Sequence, residues 1–184
     1  YKPEKSPAEV AKCMELRSKE QSYEDQLKEV LQRIERNTEL NMIAFTISDV
    51  SYAKDQIHDY FEMSADIVEF RDAAFMVALD RATLELGCKY DYPVIACSGL
   101  LKSESELRAQ VQSTKFEVSK DILRNGVSFL FYEMDIYWLR SPVSLLKDHE
   151  DADIIVSSHF DNPWSPNIGI YVGRATPAGL EFFE

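Results

Sequence analysis

The sequence predicts a layered α/β domain: a mostly parallel, Rossmann-like sheet flanked by helices, with a long amphipathic helix in front of it. Three observations carry this reading. From Met42 onward, short apolar runs alternate with stretches of helical period, the pattern of strands joined by helices that cover a sheet. Before Met42 the period differs: Cys13, Leu16, Glu20, Tyr23, Leu27, Val30 and Ile34 recur at three- and four-residue steps, and only Glu20 is polar. No internal repeat or low-complexity linker interrupts the chain.

The elements follow in order. Ser6-Pro7-Ala8-Glu9 has the form of a helix start, with Ser as cap, Pro in the first turn and Glu three residues after the cap. The helix then runs to Asn37-Thr38. Residues 1–40 are expected to form a helical stem, a docking helix for a protein partner, or a helix packed on its own domain. Residues 41–184 form the α/β domain. Its expected strands are 42–48, 75–79, 93–97, 127–132, 153–157 and 168–172. Helices are expected over 52–67 and 81–88, then from a capping box at Ser103 and Glu106 to Arg124, where Asn125-Gly126 stops the helix. Thr176-Pro177 caps a last helix. The run "KDHEDAD" (147–153) is expected to be a solvated loop.

Composition narrows the function. The 184 residues are 45% hydrophobic and 28% charged, an ordinary globular balance. The formal net charge of -12 argues against a nucleic-acid surface as the main task, since that needs a basic footprint. No stretch approaches the ~18 apolar residues of a membrane helix. Cys13, Cys88 and Cys97 make no C-x-x-C pair, so neither a zinc site nor a disulfide scaffold is expected. A start at Tyr1 and an end inside a helix are expected for an excerpt of a longer protein.

Acidic residues stand at the carboxyl ends of several strands, where α/β sheets bind ligands. Asp49 follows the first strand, Asp80 the second, and Glu133 and Asp135 the fourth. Strand alternation would put Glu133 and Asp135 on one face, where water, an arginine such as Arg140, or a metal ion must offset their repulsion. No glycine-rich phosphate loop occurs, so a carboxylate-held metal is the alternative way to hold a diphosphate. Tyr137 and Trp138 read as core or cleft wall. Trp164, between Pro163 and Pro166, reads as part of a stiff loop bordering a cleft. His58, His149 and His159 read as surface or loop residues, with His159 near Asp161 as a weaker ligand candidate.

Four segments occur in a telling order: "VALD" (77–80), "KFEVSKDILRNG" (115–126), "FLFYEMDIYWLRSP" (129–142) and "NIGIYVGRATPAGLEFF" (167–183). Together they resemble the nucleotide-diphospho-sugar transferases, glycosyltransferases of the GT-A fold, over residues 42–184. The resemblance implies that Glu133 and Asp135, in place of Asp-x-Asp, hold Mn²⁺ or Mg²⁺ on the diphosphate of a nucleotide sugar, a UDP-sugar above all. It places Asp80, Arg140, Asn167, Gly169 and Arg174 at the substrate, and the acidic edge adds Asp49. It implies a Golgi-lumen location for an active enzyme. It also implies an acceptor-binding part beyond residue 184, without which donor binding but no transfer is expected. The alternative is a catalytically inactive domain serving as a structural subunit of a larger assembly.

Overall fold

The structure is a computed structural model that describes residues 2–97, 104–159 and 161–184, with the side chains of 104–110 and 163 excepted. The Ser103 capping box therefore lies outside the described residues.

Six strands form one sheet in the order β3-β2-β1-β4-β6-β5. β1 (Met42–Ser48) lies between β2 (Ala74–Ala78) and β4 (Ser128–Tyr132), parallel to both, and β3 (Val94–Ala96) runs parallel to β2. β6 (Asn162–Gly173) turns back antiparallel to β4, and β5 (Ile154–His159) pairs with β6. This is the mostly parallel, helix-flanked sheet expected of a GT-A-like fold.

β1 shows why the parallel strands read as near-continuous apolar runs: it is buried along its whole length because both faces are covered. Alternation sends Met42 and Ala44 into one core, with Ala53, Ile57, Tyr60 and Met76. It sends Ile43, Phe45 and Ile47 into the other, with Phe75, Val118, Ile122 and Phe131. α3 (Val50–His58), extended by a wide turn through Ser64 and the short α4 (Ala65–Ile67), leads from β1 to β2. α5 (Arg81–Lys89) joins β2 to β3, and α6 (Glu104–Arg124) joins β3 to β4.

The N-terminal region departs from the single helix expected. α1 (Pro7–Glu15) starts at the Ser6 capping box as read from sequence, then widens into a π turn over Leu16–Glu20. The chain breaks at Gln21, and α2 (Tyr23–Arg33) begins afresh. The cause is local: the Ser22 side chain accepts the Asp25 N–H at 3.1 Å, so a second N-cap competes with helix continuation. The apolar stripe faces its own domain. Leu27, Val30 and Leu31 are buried against the sheet core, and Met14 joins the other face.

Cys13 and Cys88 form a disulfide that fastens α1 to α5, a single bond that the expectation of no disulfide scaffold did not anticipate. Spacing could not reveal it, because the partners lie 75 residues apart. α2 also covers the edge strand β3. Gln26, 2% exposed, accepts the Ala96 N–H at 2.9 Å through its side-chain oxygen. Its amide nitrogen donates to the Arg17 carbonyl at 2.7 Å. A polar side chain thus occupies the bonding position that another strand would take.

Two further differences concern the C-terminal third. A short helix, α7 (Val143–Asp148), follows Pro142 and buries Val143 and Leu146; its last turn takes in Lys147 and Asp148, the start of the run expected to be a loop. β6 begins well before the expected strand and carries Trp164 within it, 92% exposed rather than in a loop. Irregular pairing of β5 with β6 around Ser157 and His159 accommodates its prolines at this edge. No helix among the described residues is long and apolar enough to cross a membrane.

Close packing between β4 and β6 gives one test of the core. A Cβ at Gly173 would lie 2.7 Å from ring carbons of Phe129, which is itself fully buried. Gly173→Ala is expected to cost about 1–3 kcal/mol by overpacking, read as a lower denaturation midpoint in urea. An unchanged midpoint would show that the ring has room to move.

Candidate active site

The strand order reverses its direction of growth at β1 and β4: the chain builds outward from β1 to β2 and β3, then returns to place β4 on the other side. Such switch points open a crevice beyond the strand carboxyl ends. A cleft of about 210 Å³ lies there, lined by Ser48, Asp49, Tyr52, Lys115, Glu133 and Asp135 among others. Two larger hollows of about 590 and 670 Å³ lie against the N-terminal helices. Neither borders the carboxyl ends of β1 and β4, so the smaller cleft is the chemically placed one.

Glu133 leaves β4 through a last ladder bond, its N–H donating to the Gly169 carbonyl at 2.9 Å. The Ile136 N–H then donates back to the Glu133 carbonyl at 3.1 Å, closing a turn over 133–136. Glu133 and Asp135 are therefore turn residues and do not share a strand face as alternation implied. Met134 between them is buried, and Asp135 is exposed at the corner.

The Glu133 carboxylate meets a partner that the sequence reading did not single out. Lys115 of α6 forms an ion pair with Glu133 Oε1. The Lys115 side chain is 5% exposed and that of Glu133 40%. The ammonium also lies 5.1 Å from the centre of the Phe131 ring. Behind it, the Ser119 hydroxyl donates to the Lys115 carbonyl at 2.8 Å and meets the Tyr171 hydroxyl at 2.9 Å. Burial raises the Tyr171 hydroxyl far above its ordinary pKa, so it remains protonated. The sequence did carry a signal: Lys115 shares the α6 face of Val118, Ser119 and Ile122, all buried. A lysine on an apolar stripe calls for a counter-ion.

Asn167 and Gly169 join Glu133. The Asn167 side-chain oxygen accepts the Gly169 N–H at 2.8 Å. A Cβ at Gly169 would lie 3.0 Å from that oxygen and 3.1 Å from Glu133 Oε2, so the glycine leaves the space these groups occupy. Gly169→Ala should push the carboxylate aside while leaving the fold intact. Affinity for the nucleotide that the resemblance implies would then fall about tenfold with little change in melting, as titration calorimetry would read. Equal affinity would show that the placement of Glu133 does not matter.

The remaining expected residues divide. Asp49 lines the cleft and caps α3, accepting the Ser51 N–H at 2.7 Å. Asp80 lies one strand further out, and both its oxygens are engaged: one takes the Val50 N–H at 2.8 Å and the other the Thr83 N–H at 2.7 Å. Arg140 is exposed beyond the turn. Arg174 follows Gly173, which pairs with Phe129 near the opposite end of β4. Its guanidinium donates to the carbonyls of Leu146, His149 and Ala152 at 3.0–3.3 Å, tying down the end of α7. The geometry thus moves Arg174 from the cleft to a structural position. Tyr137 is 60% exposed, while Trp138 packs edge-on against Tyr132.

The donor set does not suit the metal that the resemblance implies. Glu133 is already paired with Lys115, and no group of three or more His, Cys, Asp or Glu side chains among the described residues is arranged to hold one ion. His159 sits apart, its ring nitrogen facing the Asp161 N–H at 3.4 Å. A divalent ion would find only Asp135 at the motif without a lysine partner, a poor match to its demand for several oxygen ligands.

Comparison with curated proteins finds no match to the chain. The family model of nucleotide-diphospho-sugar transferases matches residues 70–184, which include β2 to β6, both motif acids, Lys115, Asn167 and Gly169. That span is more than half of the chain, and the chain belongs to the nucleotide-diphospho-sugar transferase family.

Proposed function

We propose that the chain binds a nucleotide-sugar donor, of the UDP-sugar class, with its diphosphate in the crevice between β1 and β4, for transfer of the sugar to an acceptor. The observation that carries this reading is convergence. The acidic turn at Glu133 and Asp135, the Asn167-Gly169 corner and the α6 lysine meet at the one position where an α/β sheet opens. Gly169 keeps the Glu133 carboxylate in place, Lys115 orients it, and Asp135 and Asp49 border the opening. The cleft takes only part of such a ligand, so the base and the sugar extend outside it. Mn²⁺ or Mg²⁺ would find the motif short of ligands, because the acid that would share an ion is held by Lys115. The Cys13–Cys88 disulfide supports a location in an oxidising compartment, in keeping with a secretory lumen.

The test is thermal denaturation with UDP, GDP, ADP and CDP and their sugars. A ligand at ~100 times its Kd adds about 2.7 kcal/mol of stability. For a domain of this size that is a rise of roughly 5–10 °C. One nucleotide class is expected to give such a rise. Unchanged melting with every nucleotide would overturn the reading in favour of a structural subunit that has lost its ligand.

A further inference from the structure

We propose that Lys115 is the resident cation of the nucleotide site: its ammonium, oriented by Glu133, meets the diphosphate, and the nucleotide binds without a divalent ion. The inference rests on the sugar-donor reading above and deepens it. Charge states the need. The cleft carries the carboxylates of Asp49, Glu133 and Asp135, and Lys115 is the one cation among the described residues that line it. The whole chain has a formal charge of -12. A diphosphate entering this field needs a fixed positive group close at hand.

Position answers it. The Lys115 side chain is 5% exposed, yet it borders the cleft. An ammonium has three N–H donors, and the pair with Glu133 uses one of them. The face of the Phe131 ring at 5.1 Å stabilises the charge without using a ligand acceptor. Donors therefore remain for an oxygen in the cleft, and the Glu133 contact removes much of the side chain's freedom before a ligand arrives.

Stability does not account for the lysine. Buried ion pairs are often matched or exceeded by apolar side chains of similar volume, and Val118 and Ile122 already make this face of α6 apolar. An aliphatic residue at 115 would serve packing at least as well. A charged pair kept at the ligand-binding end of the sheet serves a ligand.

Titration calorimetry tests the proposal, with the full chain and the nucleoside diphosphates UDP, GDP, ADP and CDP, in EDTA and again in Mn²⁺. The unaltered chain is expected to bind one of them in EDTA with an affinity within about threefold of that in Mn²⁺. Lys115→Met should weaken binding by about tenfold or more in both conditions, and Lys115→Arg should recover part of it. Should Lys115→Met fold poorly because Glu133 loses its partner, the charge-balanced double change Lys115→Met with Glu133→Gln takes its place, with the same expected loss. Binding seen only with Mn²⁺ and abolished by Asp135→Asn would overturn the proposal, leave the sugar-donor reading standing, and reduce Lys115 to a counter-ion. Undiminished affinity in the charge-balanced double variant would also overturn it. No binding of any nucleotide in either condition would overturn the sugar-donor reading itself, and this inference with it.

Discussion

Deleting residues 1–36 is expected to leave residues 37–184 without a cooperative unfolding transition at physiological temperature. The deletion uncovers one whole side of the sheet edge. Leu27, Val30 and Leu31 are at most 6% exposed in the intact chain and pack in the same core as Phe45 and Ile95. Gln26 is lost as well, so the Ala96 N–H at the β3 edge loses its acceptor. Water reaches that N–H once α2 is gone, and the uncovered β3 edge is left open to pairing with another chain. The disulfide goes too. Closing a loop of this length restricts the unfolded chain by an amount worth about 4 kcal/mol in the entropic account. Summed over these losses, the deletion removes most of the ~5–15 kcal/mol that a domain has. Circular dichroism against temperature reads the outcome. A truncated chain that melts as the intact one does would show that the helices are an appendage. Cys13→Ala alone should cost about 2–4 kcal/mol, and a reductant should destabilise the intact chain but not that variant.

Phe45→Ala is expected to cost about 3–5 kcal/mol and to weaken nucleotide binding as well. Phe45 is fully buried at the middle of β1. Its ring centre lies 5.8 Å from that of Phe75, 5.1 Å from Phe129 and 5.0 Å from Phe131, so one side chain joins β2, β1 and β4. Truncation leaves a cavity beneath the crevice. Phe131 is also the ring beside the Lys115 ammonium, so a loosened Phe131 frees the site lysine. Urea denaturation gives the stability change and calorimetry the affinity change. A loss of stability with unchanged affinity would separate the aromatic core from the site. A stability loss below about 1 kcal/mol would show that neighbouring rings refill the space.

Much of the fold was legible because burial on both faces writes itself into parallel strands. β1 and β2 read directly as apolar runs, and Thr176 marked a helix start that the structure bears out as a cap. The N-terminal break was legible only in part. The heptad spacing continues through Gln21, and it takes the Ser22-to-Asp25 hydrogen bond to see that a new helix begins. α7 was hidden because six residues give too short a period to recognise. The disulfide depends on two elements 75 residues apart becoming neighbours, which no local pattern records.

The site shows the same division. The acidic turn and the Asn-x-Gly corner were readable as motifs. Two facts depended on tertiary placement. Glu133 and Asp135 are parted by a turn that starts where pairing with β6 ends. Arg174, next to the family-like strand in sequence, lies at the other end of that strand, because β6 runs antiparallel to β4. Lys115 lies out of place on an apolar helix face, a signal that the sequence reading passed over, and its partner could be found only in the fold.

On the proposed function, a nucleoside diphosphate occupies the crevice between β1 and β4. The most direct measurement is a crystal structure of the chain grown with whichever nucleoside diphosphate stabilises it most. The expected structure has the diphosphate beside Glu133 and Gly169, with a phosphate oxygen within hydrogen-bond reach of Lys115 Nζ. Nucleotide bound instead in a hollow against the N-terminal helices, or an unchanged Lys115–Glu133 pair facing an empty crevice at saturating nucleotide, would contradict it.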